Sequence, residues 1–260
     1  MFKILKYSFR DLIRSKWSLV YLLFYLILGS MLLFLNNNLS KAVITLMNVI
    51  TILVPLIGTI FGVMYYYSAK EFTELLLGQP IKRSSVFIGQ YLGVAGSLSL
   101  SLIIGLGLPF LLYGLLASNE IWNFGLLLLT GGFLSFIFTA LAFNIALYND
   151  NKIKGFGYAI LLWLLFSVIY DGAFLMSLIL LSSYPLDGFT IAATIFNPID
   201  LSRILILLKL DISALLGYTG AVFQKFFGTG MGQSISLFAL FTWVVIPLLN
   251  IHRKSSKKDF

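Results

Sequence analysis

Few residues in this chain could do chemistry, and their types narrow what it can be. Cysteine is absent, and the sole histidine is His252, close to the C-terminus. Without them one chain cannot build a disulfide, a thiolate nucleophile or a His/Cys cluster for zinc or copper. The glycines of "GTGMGQS", 228–234, look like a phosphate cradle but lack the lysine that follows the last glycine of a phosphate loop. Asp171 stands alone in "VIYDGAF", inside a long uncharged run. Two further stretches combine charge with apolar residues at helical spacing, "KEFTELLLGQPIKR" (Lys70 to Arg83) and "NPIDLSRILILLK" (Asn197 to Lys209).

The elements that must position these residues are membrane helices. The 260 residues are 59% hydrophobic and 11% charged, with a mean hydropathy of +0.97. A soluble domain carries about a quarter charged residues. A span needs about 20 apolar residues, and six runs qualify: Ser18 to Leu35, Ala42 to Tyr67, Val86 to Leu116, Ile121 to Tyr148, Gly155 to Leu181 and Gln233 to Asn250. The expected fold is an all-α membrane protein with one domain over 1–260. The basic excess is read as topology and not as nucleic-acid binding. With the N-terminus inside, fourteen Lys and Arg fall on the cytoplasmic side and four outside. Both termini and the 68–85 connection are then cytoplasmic, and the long 182–232 loop is external. The basic start followed by an apolar run reads as an uncleaved anchor, because the run is too long for a signal peptide. Residues 1–16 are amphipathic: Phe2, Leu5, Phe9, Leu12 and Ile13 share one face, with Lys3, Lys6, Arg10 and Arg14 beside it. Such a helix lies in the interface, either as an orientation anchor or as an elbow that also touches a cytoplasmic partner.

Asp171 lies inside the fifth span, where a carboxylate at the bilayer centre costs about 2.5–3.5 kcal/mol on insertion scales. It reads either as part of a gate or polar exit path, or as a structural hydrogen-bonding group with a neighbour such as Tyr170. The Gly58/Gly62 and Gly89/Gly93 pairs at four-residue spacing read as close helix packing. In the 70–83 stretch, Phe72, Leu75 and Leu76 share a helical face. Gly78 suits the helix end, Pro80 stops continuation, and Ser84 or Ser85 suits the cap of the next helix. This predicts a short amphipathic helix on the cytoplasmic surface, either a solvated loop or a docking helix for a groove in a partner. In the outer loop, Asn197 suits a cap, Pro198 the first turn and Asp200 the positive helix start. Leu201, Ile204, Leu205 and Leu208 then give an apolar face, as expected of interfacial helices that form a lid.

The order of these features resembles the permease subunits of ATP-binding-cassette (ABC) exporters of the second bacterial type. That family has six spans, an N-terminal elbow and a leucine-rich coupling helix between spans two and three. "ELLLGQPIKRSSVFIGQYLG", Glu74 to Gly93, is similar to its coupling region running into the third span. The family's usual Gly-Thr pair before the leucines is replaced by Glu71 and Phe72. The stretch from Asn197 to Gly230 is similar to the branch that serves copper-site maturation of nitrous oxide reductase. The resemblance implies a homodimer in the bacterial inner membrane, joined by two cytoplasmic ATP-binding subunits that hold ATP and magnesium, while this chain binds no cofactor or metal and is no enzyme. It implies an ATPase-coupling interface of Lys70, Glu71, Phe72, Glu74, Leu75, Leu76, Pro80, Lys82 and Arg83. It also implies a periplasmic partner surface at Asn197, Pro198, Asp200 and Arg203. Other readings are an exporter of another cargo (drug, lipid or peptide), a proton-coupled carrier resting on Asp171, and a membrane enzyme, for which no catalytic pair stands at membrane depth.

Overall fold

In a computed structural model, which describes residues 6–11, 16–36, 38–78, 81–181, 184, 186–209 and 217–256, all regular structure is helical. The elements are α1 (Lys16–Asn36), α2 (Leu39–Ser68), α3 (Lys70–Leu77), α4 (Arg83–Leu112), α5 (Ile121–Tyr148), α6 (Lys152–Leu164), α7 (Tyr170–Leu180), α8 (Asp187–Phe196), α9 (Pro198–Lys209), α10 (Gly217–Phe227) and α11 (Gly230–Ser255). A single π-helical stretch, Leu165–Ile169, joins α6 to α7. Residues 6–11 are helical, but the rest of the proposed elbow, 1–5 and 12–15, and Pro80 lie outside the described residues.

Six helices are long and apolar enough to cross a membrane: α1, α2, α4, α5, the combined α6–α7 and α11. They match the six runs expected, with the third ending sooner. It stops at Leu112, and Gly114 follows with a φ of 95°, a left-handed conformation that glycine adopts without strain. Polar side chains set several starts. Asn38 accepts from the Ser40 amide, Asn151 from the Ile153 and Lys154 amides, and Thr229 from the Gly232 amide. Thr229 thereby explains the glycine-rich 228–234 stretch as a turn and cap. The cap expected from Ser84 or Ser85 is absent, because α4 already begins at Arg83 and both serines lie in its first turn.

α2, α4 and α5 form the interior, while α6–α7 and α11 are left largely uncovered by the chain itself. Glycine decides where helices touch. A Cβ on Gly62 would stand 2.7 Å from the Ala142 Cβ, and one on Gly105 would stand 2.7 Å from the Tyr25 Cβ. α2 therefore closes on α5, and α1 on α4, at backbone distance. The Gly58/Gly62 pair faces Phe138, Thr139 and Ala142 of α5, the packing role its spacing suggests. Buried polar pairs add direction: the Ser18 and Ser101 hydroxyls lie 3.3 Å apart between α1 and α4, and the Tyr21 and Tyr25 hydroxyls 2.8 Å apart.

The 182–232 region departs from a helix lying flat on a surface. α8 and α9 meet at 115°, as in a broken span or re-entrant hairpin. α9 is wedged against α2, α5 and α11. Leu201, Ile204 and Leu205 are buried, as the proposed apolar face requires, but so are Ile199, Ser202, Ile206 and Leu207. A helix buried on nearly every side is an interior element.

Candidate functional site

Two places bring the singled-out residues together, one at an end of the bundle and one about midway along it, level with Phe166 of the Lys152–Leu180 span. At the end that carries the N-terminal segment and the tail, α2 runs almost directly into α3. The Ala69 amide still bonds the Tyr65 carbonyl, and the Thr73 amide bonds the Ala69 carbonyl. Thr73 is the one buried residue of α3. Its hydroxyl donates to the Ala69 carbonyl at 2.7 Å and accepts from the buried Gln90 amide of α4 at 2.8 Å. Phe72, half-buried, stacks on Tyr7 with ring centroids 4.8 Å apart. The 6–11 helix in turn rests on α4, since a Cβ on Gly93 would stand 2.7 Å from the Ser8 Cβ and 3.1 Å from the Phe9 amide nitrogen.

These contacts leave one side of α3 open. Glu71 and Glu74 are exposed, with a loose 3.9 Å ion pair from Lys70 to Glu74. Leu75 is 74% exposed, a large cost for an isolated leucine in water unless something covers it. Leu76 and Leu77 are half-buried, and Lys82 and Arg83 are exposed beyond the helix. Gly78 ends the helix, as its type suggests, in a right-handed conformation. Phe72 thus faces the N-terminal segment, while Leu75 carries the outward apolar surface. The anchor, Thr73 with Gln90, was not singled out from sequence; a hydroxyl inside a leucine-rich amphipathic helix was its only signal.

Toward the other end, Asp171 does not use Tyr170. The Arg203 guanidinium of α9 donates to Asp171 at 3.0 Å and to Asp200 at 3.3 Å. Asn197, fully buried, accepts from the Ile199 amide at 3.0 Å and so caps α9, as its type and place suggested. Its amide group donates to Asp200 at 2.8 Å and to the Phe166 carbonyl at 2.9 Å. That carbonyl lies in the π-helical stretch, where the regular helical ladder is broken.

The chain break between α8 and α9 is held by two aromatic donors. Tyr170 donates to the Ala193 carbonyl at 2.6 Å, and Trp243 of α11 donates to the Ile195 carbonyl at 3.1 Å. The last carbonyls of a helix have no partner within it, and leaving one bare in hydrocarbon costs several kcal/mol. Asp171, Asp200, Arg203 and Thr194 also line a cavity of about 160 Å³, walled by apolar groups such as Phe174 and Phe223. Pro198 opens α9 beside them. Among the described residues no group of three or more His, Asp or Glu is placed to hold a metal ion.

No family model matches the chain. Two curated proteins named "Probable ABC transporter permease protein NosY" do. The one from Stutzerimonas stutzeri is 25% identical over 241 residues, covering 86% of this chain and 82% of the relative. The one from Pseudomonas aeruginosa strain PAO1 is 27% identical over 185 residues, covering 68% of this chain and 67% of the relative. This chain is a multi-pass membrane protein that resembles ABC transporter permeases and is similar, over most of its length, to proteins named NosY.

Proposed function

We propose that this chain is the membrane-spanning permease subunit of an ABC transporter, inserted in a bacterial inner membrane with both termini and α3 in the cytoplasm. It would work as a homodimer with two NosF-like cytoplasmic subunits, which hold ATP and magnesium and carry the hydrolysis. The observation that carries the reading is α3: a short helix fixed on one side by Thr73 and Phe72, with Leu75 bare on the other. A leucine held exposed on a rigid mount suits a groove in a partner protein.

The mount also gives the route of force. Closure of the ATP-binding subunits would push α3. Through Gln90 and the Tyr7–Phe72 stack the push reaches α4 and the N-terminal segment, and through the continuous backbone it reaches α2. α2 packs against α9 as well as α5, so its displacement bears on the α8–α9 hairpin toward the opposite end. There the hairpin would do periplasmic work on a NosD-like partner; Asn197, Pro198 and Asp200, which are buried, and the half-buried Arg203 would hold the hairpin's shape from within and leave the contact itself to its outer rim. The task we assign is copper-site maturation of nitrous oxide reductase. Disrupting the gene in a nitrous-oxide respirer should leave the reductase synthesised but copper-deficient. A normally loaded reductase would reject that task and leave the permease reading standing, with another cargo in its place.

A further inference from the structure

A further cavity reaches from the α8–α9 break, where Ile195, Phe196 and Trp243 line it, along the outer face of α11. It is a groove of about 900 Å³ between α5 and α11, floored by Asn144 and walled by Phe238, Trp243 and Ile246. Its wall is open sideways, for Phe238 and Ile246 are mostly exposed. At the α11 C-terminal end it meets a second cavity of about 420 Å³; the two share Asn250 and Arg253, and the second adds Tyr148 and Lys254.

Charge and depth say what fits. Among the described residues, neither cavity is lined by an acidic one. Arg253 pairs with no carboxylate among the described residues, and Lys254 sits 4.4 Å from the Tyr148 ring centroid, held over its face. The polar floor is already satisfied. Asn144 donates to the Pro247 carbonyl at 2.9 Å, Asn250 donates to Asn144 at 2.8 Å, and the Tyr148 hydroxyl donates to Asn250 at 3.5 Å. That leaves two cationic heads at the mouth of an apolar channel. From Arg253 down α11 to Thr242 is about 16 Å at 1.5 Å per residue, close to half of a hydrocarbon core of about 30 Å. This is the depth of one leaflet's acyl chains. We propose that the groove between α5 and α11 binds an anionic phospholipid, its chains along Trp243 and Ile246 and its phosphate between Arg253 and Lys254. Basic pockets between membrane helices recognise such headgroups.

Trp243 reports occupancy directly. The full chain is placed in phosphatidylcholine vesicles containing a minor fraction of phosphatidylglycerol, with brominated chains either on the phosphatidylglycerol or on an equal fraction of phosphatidylcholine. Quenching of Trp243 is read as the difference between wild type and Trp243→Phe. Brominated phosphatidylglycerol should associate at least about fivefold more strongly, roughly the factor one basic residue contributes near an anionic lipid. Arg253→Gln with Lys254→Gln should bring the two lipids to parity. Equal quenching in the wild type overturns the proposal. So does an undiminished preference in the double variant, which would assign it to the general basic surface, and so does no quenching by either lipid, as when a second copy fills the groove. Native mass spectrometry of chains released from the same vesicles gives a second reading: wild type should retain phosphatidylglycerol and the double variant should not, and equal retention overturns the proposal.

Discussion

Arg203 holds the polar centre of the distal half, because among the described residues it is the cation that offsets two carboxylates on different helices. Replacing it by methionine leaves Asp171 and Asp200 facing one cavity with no cation between them. The groups are about a quarter exposed or less, so part of the loss is screened by solvent. Arg203→Met should cost about 1–3 kcal/mol, seen as a lower unfolding temperature of the purified chain in detergent. Adding Asp171→Asn should restore part of it. An Arg203→Met chain as stable as wild type would contradict the latch. Asp171 was conspicuous in the sequence as a lone charge in an apolar run. Its partner was not, because Arg203 lies 32 positions away on a helix whose pattern read as lying at the surface. The π-helical stretch had no signature either. Its carbonyl partner, Asn197, reads from sequence as a helix cap, which it is, but the bond to Phe166 depends on tertiary placement.

Among the elements, α3 and the N-terminal segment behave as one unit seated on α4. Gly93 permits that seat. Gly93→Val should lift residues 6–11 off α4, since the new side chain would meet Ser8 and the Phe9 backbone. A cysteine at the buried Ser8 position should react slowly with a thiol reagent in the parent chain and much faster with Gly93→Val added. Equal rates would show that the segment is not held there. Gln90→Leu removes the donor to Thr73 and should loosen α3 without unfolding the bundle, raising protease cleavage near Gly78. Long apolar runs made the six spans legible, and amphipathic spacing made α3 legible. The burial of α9 was not, because an interfacial helix and a wedged one share the same leucines. Ile206 and Leu207 on the far side were the signal available.

For the whole molecule, the alternation of six spans puts the N-terminal segment, α3 and the tail at one end and the α8–α9 hairpin toward the other. The function proposed above puts the first end in the cytoplasm, in keeping with the Lys and Arg bias. A cysteine at Tyr184, an exposed position, should be labelled from outside intact cells, and one at Ser256 only after permeabilisation. The reverse pattern would invert the account. The central claim is that α3 delivers the work of an ATP-binding subunit to this chain. It is tested most directly by purifying the tagged chain from its own membranes in mild detergent and identifying what accompanies it by mass spectrometry, beside a Leu75→Asp/Leu76→Asp variant. The account predicts an ATP-binding subunit in equal amount with the wild type and its loss, by tenfold or more, from a variant that still inserts normally; a drop of that size corresponds to about 1.4 kcal/mol of binding or more. Equal recovery with both chains, or no such subunit with either after crosslinking, would contradict it.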